Sequence, residues 1–271
     1  MRKPDRIYPA YIFDLDGTVY LGDRLLPGAG PAIRALRARG ARTVFLSNNP
    51  THTRADYTAK LTRLGLPTPV EDVVHSTYVL IRFLAQELPG ARLFVLGEPP
   101  LLEELAAAGF RLTTDAAKTD VVIAAFDRTF DYAKLQTAFD AIRAGARFFA
   151  TNADRYCPTP DGGEPDAAAV IAAVEACTGV QVEFVAGKPS RWMAEAALKA
   201  VGVPAGDCLM VGDRLETDVR MGVEAGMATA LVLSGATRRE EVEGAAVRPD
   251  FVIEDLGELM APFDAGLSDD P

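Results

Sequence analysis

The sequence predicts an α/β fold built on a largely parallel sheet. Two observations carry that reading. Short apolar runs alternate along the chain with stretches of helical periodicity, the order that builds βαβ units. Several of those runs end directly in polar or acidic residues, as strands do where their carboxyl ends face a ligand.

The elements follow in order. Residues 11–14 read as the first strand. Residues 31–39 read as a helix, with Ile33, Leu36 and Arg37 at helical spacing and Gly40 as its stop. A strand over 43–47 and a helix over 54–64 follow, the helix closed by Gly65. Residues 77–87 carry Val79, Leu80, Phe83 and Leu84 on one helical face. The pattern then repeats: strands at 93–96, 121–125 and 147–150, helices at 101–108 and 132–144, and an alanine-rich helix at 166–178. After a strand at 181–186 come a helix at 191–201, a strand at 208–212, a helix at 217–225 and strands at 228–233 and 251–253. Asp161-Gly162-Gly163 reads as a turn, and the acidic tail from Pro262 to Pro271 as frayed.

The 271 residues suffice for one large domain or two modest ones. No apolar run approaches the roughly 20 residues that span a bilayer, and no signal-peptide stretch follows the basic N-terminus. Cys157, Cys177 and Cys208 lie far apart, which argues against a disulfide framework and suits a reducing cytoplasm. The formal net charge of −10 disfavours nucleic-acid binding, which relies on neutralising phosphates.

Four strand ends carry candidate chemistry. The first strand runs into Asp14-Leu15-Asp16-Gly17-Thr18. Alternation sets Asp14 and Asp16 on one side, where two carboxylates repel unless a cation or proton lies between them. Read alone, this is also a strand-ending turn. The second strand ends in Ser47-Asn48-Asn49, where a hydroxyl and backbone N–H groups can hold a phosphoryl oxygen, or merely cap a helix. Lys188, in Gly187-Lys188-Pro189, offers a compact charge for phosphate, and Ser190 a cap for the next helix. Gly212–Asp218 places Asp213 at a strand end and Asp218 about a turn later. Oxygen ligands of this kind suit Mg²⁺.

In this order, these four segments resemble the motifs of the haloacid dehalogenase-like phosphohydrolase superfamily. Leu46–Asn49, Ala186–Ser190 and Val211–Asp218 are similar to its p-nitrophenylphosphatase/phosphoglycolate phosphatase branch. The resemblance implies a Rossmann-like catalytic core and a phosphatase working through an aspartyl phosphate. Asp14 would be the nucleophile and Asp16 the general acid and base. Ser47, Asn48 and Lys188 would bind the phosphoryl group. Asp14, the Asp16 carbonyl and Asp213 would hold Mg²⁺, with Asp218 and Thr18 in support.

Spacing locates a second domain. Asp16 to Ser47 leaves room only for a loop, a helix and a strand, whereas Ser47 to Lys188 is far longer. The core is therefore expected at 1–80 and 182–271, and an inserted α/β cap at 81–181. Thr151–Tyr156 is the expected substrate-facing segment, with Asn152 and Arg155 as specificity candidates. Pro165-Asp166-Ala167-Ala168 departs from the Pro-Gly-x-Gly pattern of many relatives, and Trp192 reads as a packing residue. The expected substrate is a small phosphorylated metabolite, such as a sugar phosphate, phosphoglycolate, glycerol phosphate or nucleotide, and relatives that pair through the cap raise a homodimer. The competing reading is a phospho-accepting receiver module. Such modules are about half this length and have no place for an inserted cap.

Overall fold

The computed structural model describes residues 2–260, so the tail read at 262–271 lies outside the described residues. Two parallel sheets form the frame. The larger has six strands, in the spatial order Phe251–Ile253, Ala228–Val232, Cys208–Gly212, Ala10–Asp14, Arg42–Ser47 and Val73–His75. All its pairings are parallel. From Ala10–Asp14 the chain builds outward first to one side and later to the other. The crevice at such a reversal of strand order is where α/β sheets bind ligands, and Asp14 stands at its edge.

The smaller sheet has five strands, in the order Phe184–Val185, Arg147–Ala150, Val121–Ala124, Arg92–Leu96 and Arg111–Leu112, again all parallel. The strand read at 181–186 shrinks to Phe184–Val185, because it is an edge strand paired on one side only.

Alternation along the central strands sorts the core into two layers. Tyr11 and Phe13 pack on one face with Ile33 and Leu36 of the helix Ala29–Ala38. Ala10 and Ile12 pack on the other with Val44, Leu46 and residues of the helix Arg191–Val201. This second layer continues through Val79, Leu80, Phe83 and Leu84 of the helix Ser76–Glu87 into Leu93, Val95, Val121 and Ile123 of the smaller sheet. Phe83 stacks on Phe184 at 3.6 Å, and Trp192 meets Phe83 edge-on at 5.2 Å. Trp192 is thus a packing residue between the two sheets. Fully burying each such side chain stabilises the fold by roughly 1.5–3 kcal/mol.

Several short features differ from the sequence reading, three of them near the strand ends. Val73–His75 is a strand of three residues, too short for periodicity to register. Residues read as loop and turn form an antiparallel hairpin, Tyr156–Thr159 with Gly162–Pro165. Its Pro158 and paired glycines are residues that ordinarily argue against a strand. The helix read at 217–225 begins instead as a wide π-helical turn over Leu215–Val219 and continues as Arg220–Glu224. Asp218 stabilises that turn by accepting from the Arg214 N–H at 3.1 Å. Among the described residues no helix is long and apolar enough to cross a membrane.

Candidate active site

The strand ends converge as their spacing predicts. Asp14, 7% exposed, closes the first strand of the core sheet. Lys188, from the loop before the helix Arg191–Val201, donates from Nζ to Asp14 Oδ1 and, at 2.7 Å, to Asp218 Oδ1. Burial pulls the Lys188 ammonium down, but the two carboxylates more than reverse this and leave it raised. Carboxylate oxygens of Asp14, Asp213 and Asp218 lie within 4.8 Å of one another. Burial, together with neighbouring carboxylates, raises both Asp213 and Asp218.

Two glycines make room for Asp213. Gly17 has φ +88°, and a Cβ there would lie 2.5 Å from Asp213 Oδ2. A Cβ on Gly235 would lie 2.0 Å from the same oxygen. Between them the Ala236 N–H donates to Asp213 Oδ2 at 2.6 Å, and the Ser234 hydroxyl donates to the Gly17 carbonyl at 2.9 Å. This Ser234–Ala236 loop escaped the sequence reading. Its only sequence signal is a small-residue turn after an apolar strand.

Asp16 lines the catalytic pocket, and burial pushes its carboxyl up to about 6, with Lys60 opposing and Asp14 adding to the rise. Thr18 is fully buried, and its Oγ1 has no partner among the described residues. Ser47 Oγ accepts from the Asn49 N–H at 3.1 Å and shares a hydrogen bond of 2.9 Å with Tyr57. The Tyr57 hydroxyl also donates to the Asn49 carbonyl at 2.8 Å, so a residue that sequence analysis passed over fixes the loop.

The Asn48 side chain is committed within the protein. Its Oδ1 accepts from the Lys188 N–H at 2.7 Å, while Nδ2 donates to the Lys188 carbonyl at 3.2 Å and to Asp154 Oδ2 at 3.1 Å. The side-chain amide is committed to positioning Lys188 and to joining the core to the smaller domain.

Residues of the smaller domain complete the wall. Asp154, Cys157 and Asp166 line the same pocket as Asp14, Asp16, Ser47 and Lys188. The pocket holds about 30 Å³. Asp166 Oδ1 accepts from Asn152 Nδ2 at 3.0 Å. Burial pushes Asp166 up to about 7, with Asn152 opposing and Asp154 adding to the rise. Asn152 is itself fully buried, and its Oδ1 accepts from Thr151 at 2.8 Å, so its amide supports Asp166 and does not line the pocket. Arg155 is exposed and lines an adjoining cleft of about 710 Å³, which shares Asp154, Tyr156 and Thr217 with the pocket. Arg214 lines both spaces. Its Nη2 donates to the Tyr156 carbonyl at 2.8 Å, and its guanidinium lies 4.9 Å from the Tyr156 ring centre.

The donor set fits a hard divalent cation. Asp14, Asp213 and Asp218 bring three carboxylates together, two of them paired with Lys188. Buried Asp14 Oδ2 and Asp213 Oδ1 have no protein donor among the described residues. Oxygen ligands with an excess of negative charge are what such cations select.

This geometry belongs with the comparisons to known proteins. A haloacid dehalogenase-like hydrolase model matches residues 11–111, and a HAD-hydrolase-like model matches residues 185–259. The chain belongs to the haloacid dehalogenase-like hydrolases, in their p-nitrophenylphosphatase branch, and is a phosphatase. It is 38% identical over 256 residues to the sugar-phosphatase AraL of Bacillus subtilis (strain 168), covering 94% of this chain and 93% of that protein. It is 34% identical to the acid sugar phosphatase of Staphylococcus saprophyticus, covering 93% and 97%. The crystal structure of 4-nitrophenylphosphatase from Thermotoga maritima superposes with a TM-score of 0.88 at 37% identity, covering 94% of this chain and 97% of that one.

Proposed function

We propose that this phosphatase is Mg²⁺-dependent, forms an aspartyl phosphate on Asp14, and hydrolyses small sugar phosphates. The observation that carries the reading is Asp14 itself: anchored at Oδ1 by Lys188, with buried Oδ2 left without a partner among the described residues. An anchored carboxylate beside unmet acceptors is prepared to attack phosphorus and split one hard step into two. Asp16 protonates the departing oxygen and later takes a proton from the attacking water. A carboxyl raised to about 6 is suited to both tasks. Ser47 and Lys188 hold phosphoryl oxygens, and Asn48 sets the lysine. Asp14, the Asp16 carbonyl and Asp213 hold the metal, with Asp218 and Thr18 in support. When bound, Mg²⁺ offsets repulsion between anionic nucleophile and anionic substrate and stabilises charge on the phosphoryl oxygens. The metal, Lys188 and local N–H groups thereby overcome the net charge of −10.

The names of the two curated relatives support sugar phosphates as the substrate class. Residues 81–181 act as the cap, and the hairpin Tyr156–Thr159 with Gly162–Pro165 belongs to the surface they present to substrate. The test is Asp14→Asn, assayed with Mg²⁺ on p-nitrophenyl phosphate and on a panel of sugar phosphates. The folded variant is expected to lose turnover by about 10⁴-fold or more. Chelation by EDTA should silence the wild type, with Mg²⁺ restoring it. A variant with wild-type kcat would overturn the nucleophile assignment, and activity indifferent to EDTA would overturn the metal.

A further inference from the structure

Asp166 is a buried carboxyl in the catalytic pocket that the chemistry above leaves unused. It is 3% exposed and lines the pocket with Asp14 and Lys188. Both of its hydrogen bonds end on Oδ1, from Asn152 Nδ2 at 3.0 Å and from the Ala167 N–H at 2.5 Å. No donor among the described residues reaches Oδ2. Asp166 also caps the helix Ala167–Thr178, but capping uses Oδ1 and does not require a place in the pocket wall.

The charge around it is unbalanced. Asp154 lines the same wall, its Oδ2 taking the Asn48 amide. Of the basic residues lining the pocket, Lys188 is held between Asp14 and Asp218, and Arg214 is engaged with the carbonyl and ring of Tyr156. Arg214 faces Asp154 and offsets one of the two carboxylates, so the wall keeps an excess of negative charge when both are ionised.

We infer that Asp166 reads the leaving group: Oδ2 pairs with a hydroxyl of the departing alcohol, and Asp154 and Asp166 together repel a second anion placed there. This selects polyol monophosphates, such as glycerol, pentose and hexose phosphates, over phosphorylated carboxylic acids. The inference rests on the phosphatase reading above. A hydroxyl both donates and accepts, so the pairing persists whether or not the carboxyl is protonated. Above about pH 7, where Asp166 is ionised, a carboxylate in the same place meets like charge, and rejection by like charge is a common source of specificity.

The experiment compares kcat/KM for glycerol 3-phosphate and ribose 5-phosphate with that for phosphoglycolate, with Mg²⁺. The wild type is expected to favour both polyol phosphates. In Asp166→Asn, which retains a capping side chain, that preference should fall on the order of 10- to 100-fold, the worth of one charged hydrogen bond. Asp166→Ser, a second capping residue, should move the ratio the same way. A preference within about threefold of wild type in a folded variant overturns the role of Asp166. So does a wild type that favours phosphoglycolate, whatever the variants do. Wild-type hydrolysis of p-nitrophenyl phosphate separates the two readings. Its absence would sink the assignment of the site, whereas strong hydrolysis without a polyol preference sinks only the specificity.

Discussion

The floor of the catalytic pocket and its cap-side wall are built differently. The floor comes from ends of neighbouring parallel strands, so Asp14 and Asp213 stand where backbone pairing puts them. Its charges are buried, and Asp213 fills the space that Gly17 and Gly235 leave open. The wall comes from the loop after Arg147–Ala150 and from a hairpin whose residues are mostly half-buried or exposed. What holds the wall to the floor is a small set of polar contacts, chiefly Asn48 with Asp154 and Arg214 with Tyr156. Rigidity is concentrated where reacting atoms must be placed to a fraction of an ångström. The wall can vary in its polar residues without disturbing that placement.

The contrast can be broken at the floor first. Gly235→Ala drives a methyl group to within 2.0 Å of Asp213 Oδ2, with the carboxylate already pinned by the Ala236 N–H. Mg²⁺ affinity is expected to fall about 10- to 100-fold, as for other disturbed metal-supporting residues. Titration of activity against Mg²⁺ reads the change directly. Unaltered Mg²⁺ dependence would mean that the floor tolerates movement and that the contrast is overstated.

The contact between floor and wall comes next. Asn48→Ala strips partners from the Lys188 backbone and from Asp154, leaving buried groups unpaired at about 1–3 kcal/mol. Urea denaturation should show that loss. A KM that rises with kcat nearly unchanged would assign Asn48 to substrate holding and not to positioning Lys188.

The smallest effect concerns the wall alone. Asp166 has a folded pKa raised to about 7 from the ordinary carboxyl value of 3.8, chiefly by burial. A raised carboxyl pKa means that protonation favours the folded state. Its stabilising contribution is full below the unfolded value and is lost as pH rises through the folded one. Asp166→Asn removes that dependence. The melting temperature of the variant, relative to wild type, should climb between about pH 4 and pH 7 and level off above. A difference that stays flat with pH would show that Asp166 is ionised throughout.

The floor was legible in the sequence because its residues sit at the ends of apolar strands, where local pattern already states position. Asp14, Ser47, Lys188 and Asp213 come together as their spacing predicts. The wall was less legible. Tyr156–Thr159 and Gly162–Pro165 contain proline and glycines that argue against strands, and only pairing between the two segments makes them a hairpin. Arg155 reads as a candidate substrate contact, and only the packing of distant segments places it in the larger cleft beside the pocket. The Asn48 side-chain amide is occupied by a backbone 140 positions away in the chain, a contact that no local pattern announces. Tyr57, inside a helix, carries no local sign that its hydroxyl fixes the Ser47 loop.

By itself the sequence determined the parallel α/β frame and the acidic floor, since strand alternation and strand-end chemistry are properties of a few consecutive residues. Tertiary structure decided which oxygens remain unpartnered, which glycines make room for Asp213, and which carboxyl of the inserted domain reaches the pocket. Those outcomes depend on contacts between segments far apart in the chain, and no run of neighbouring residues encodes them.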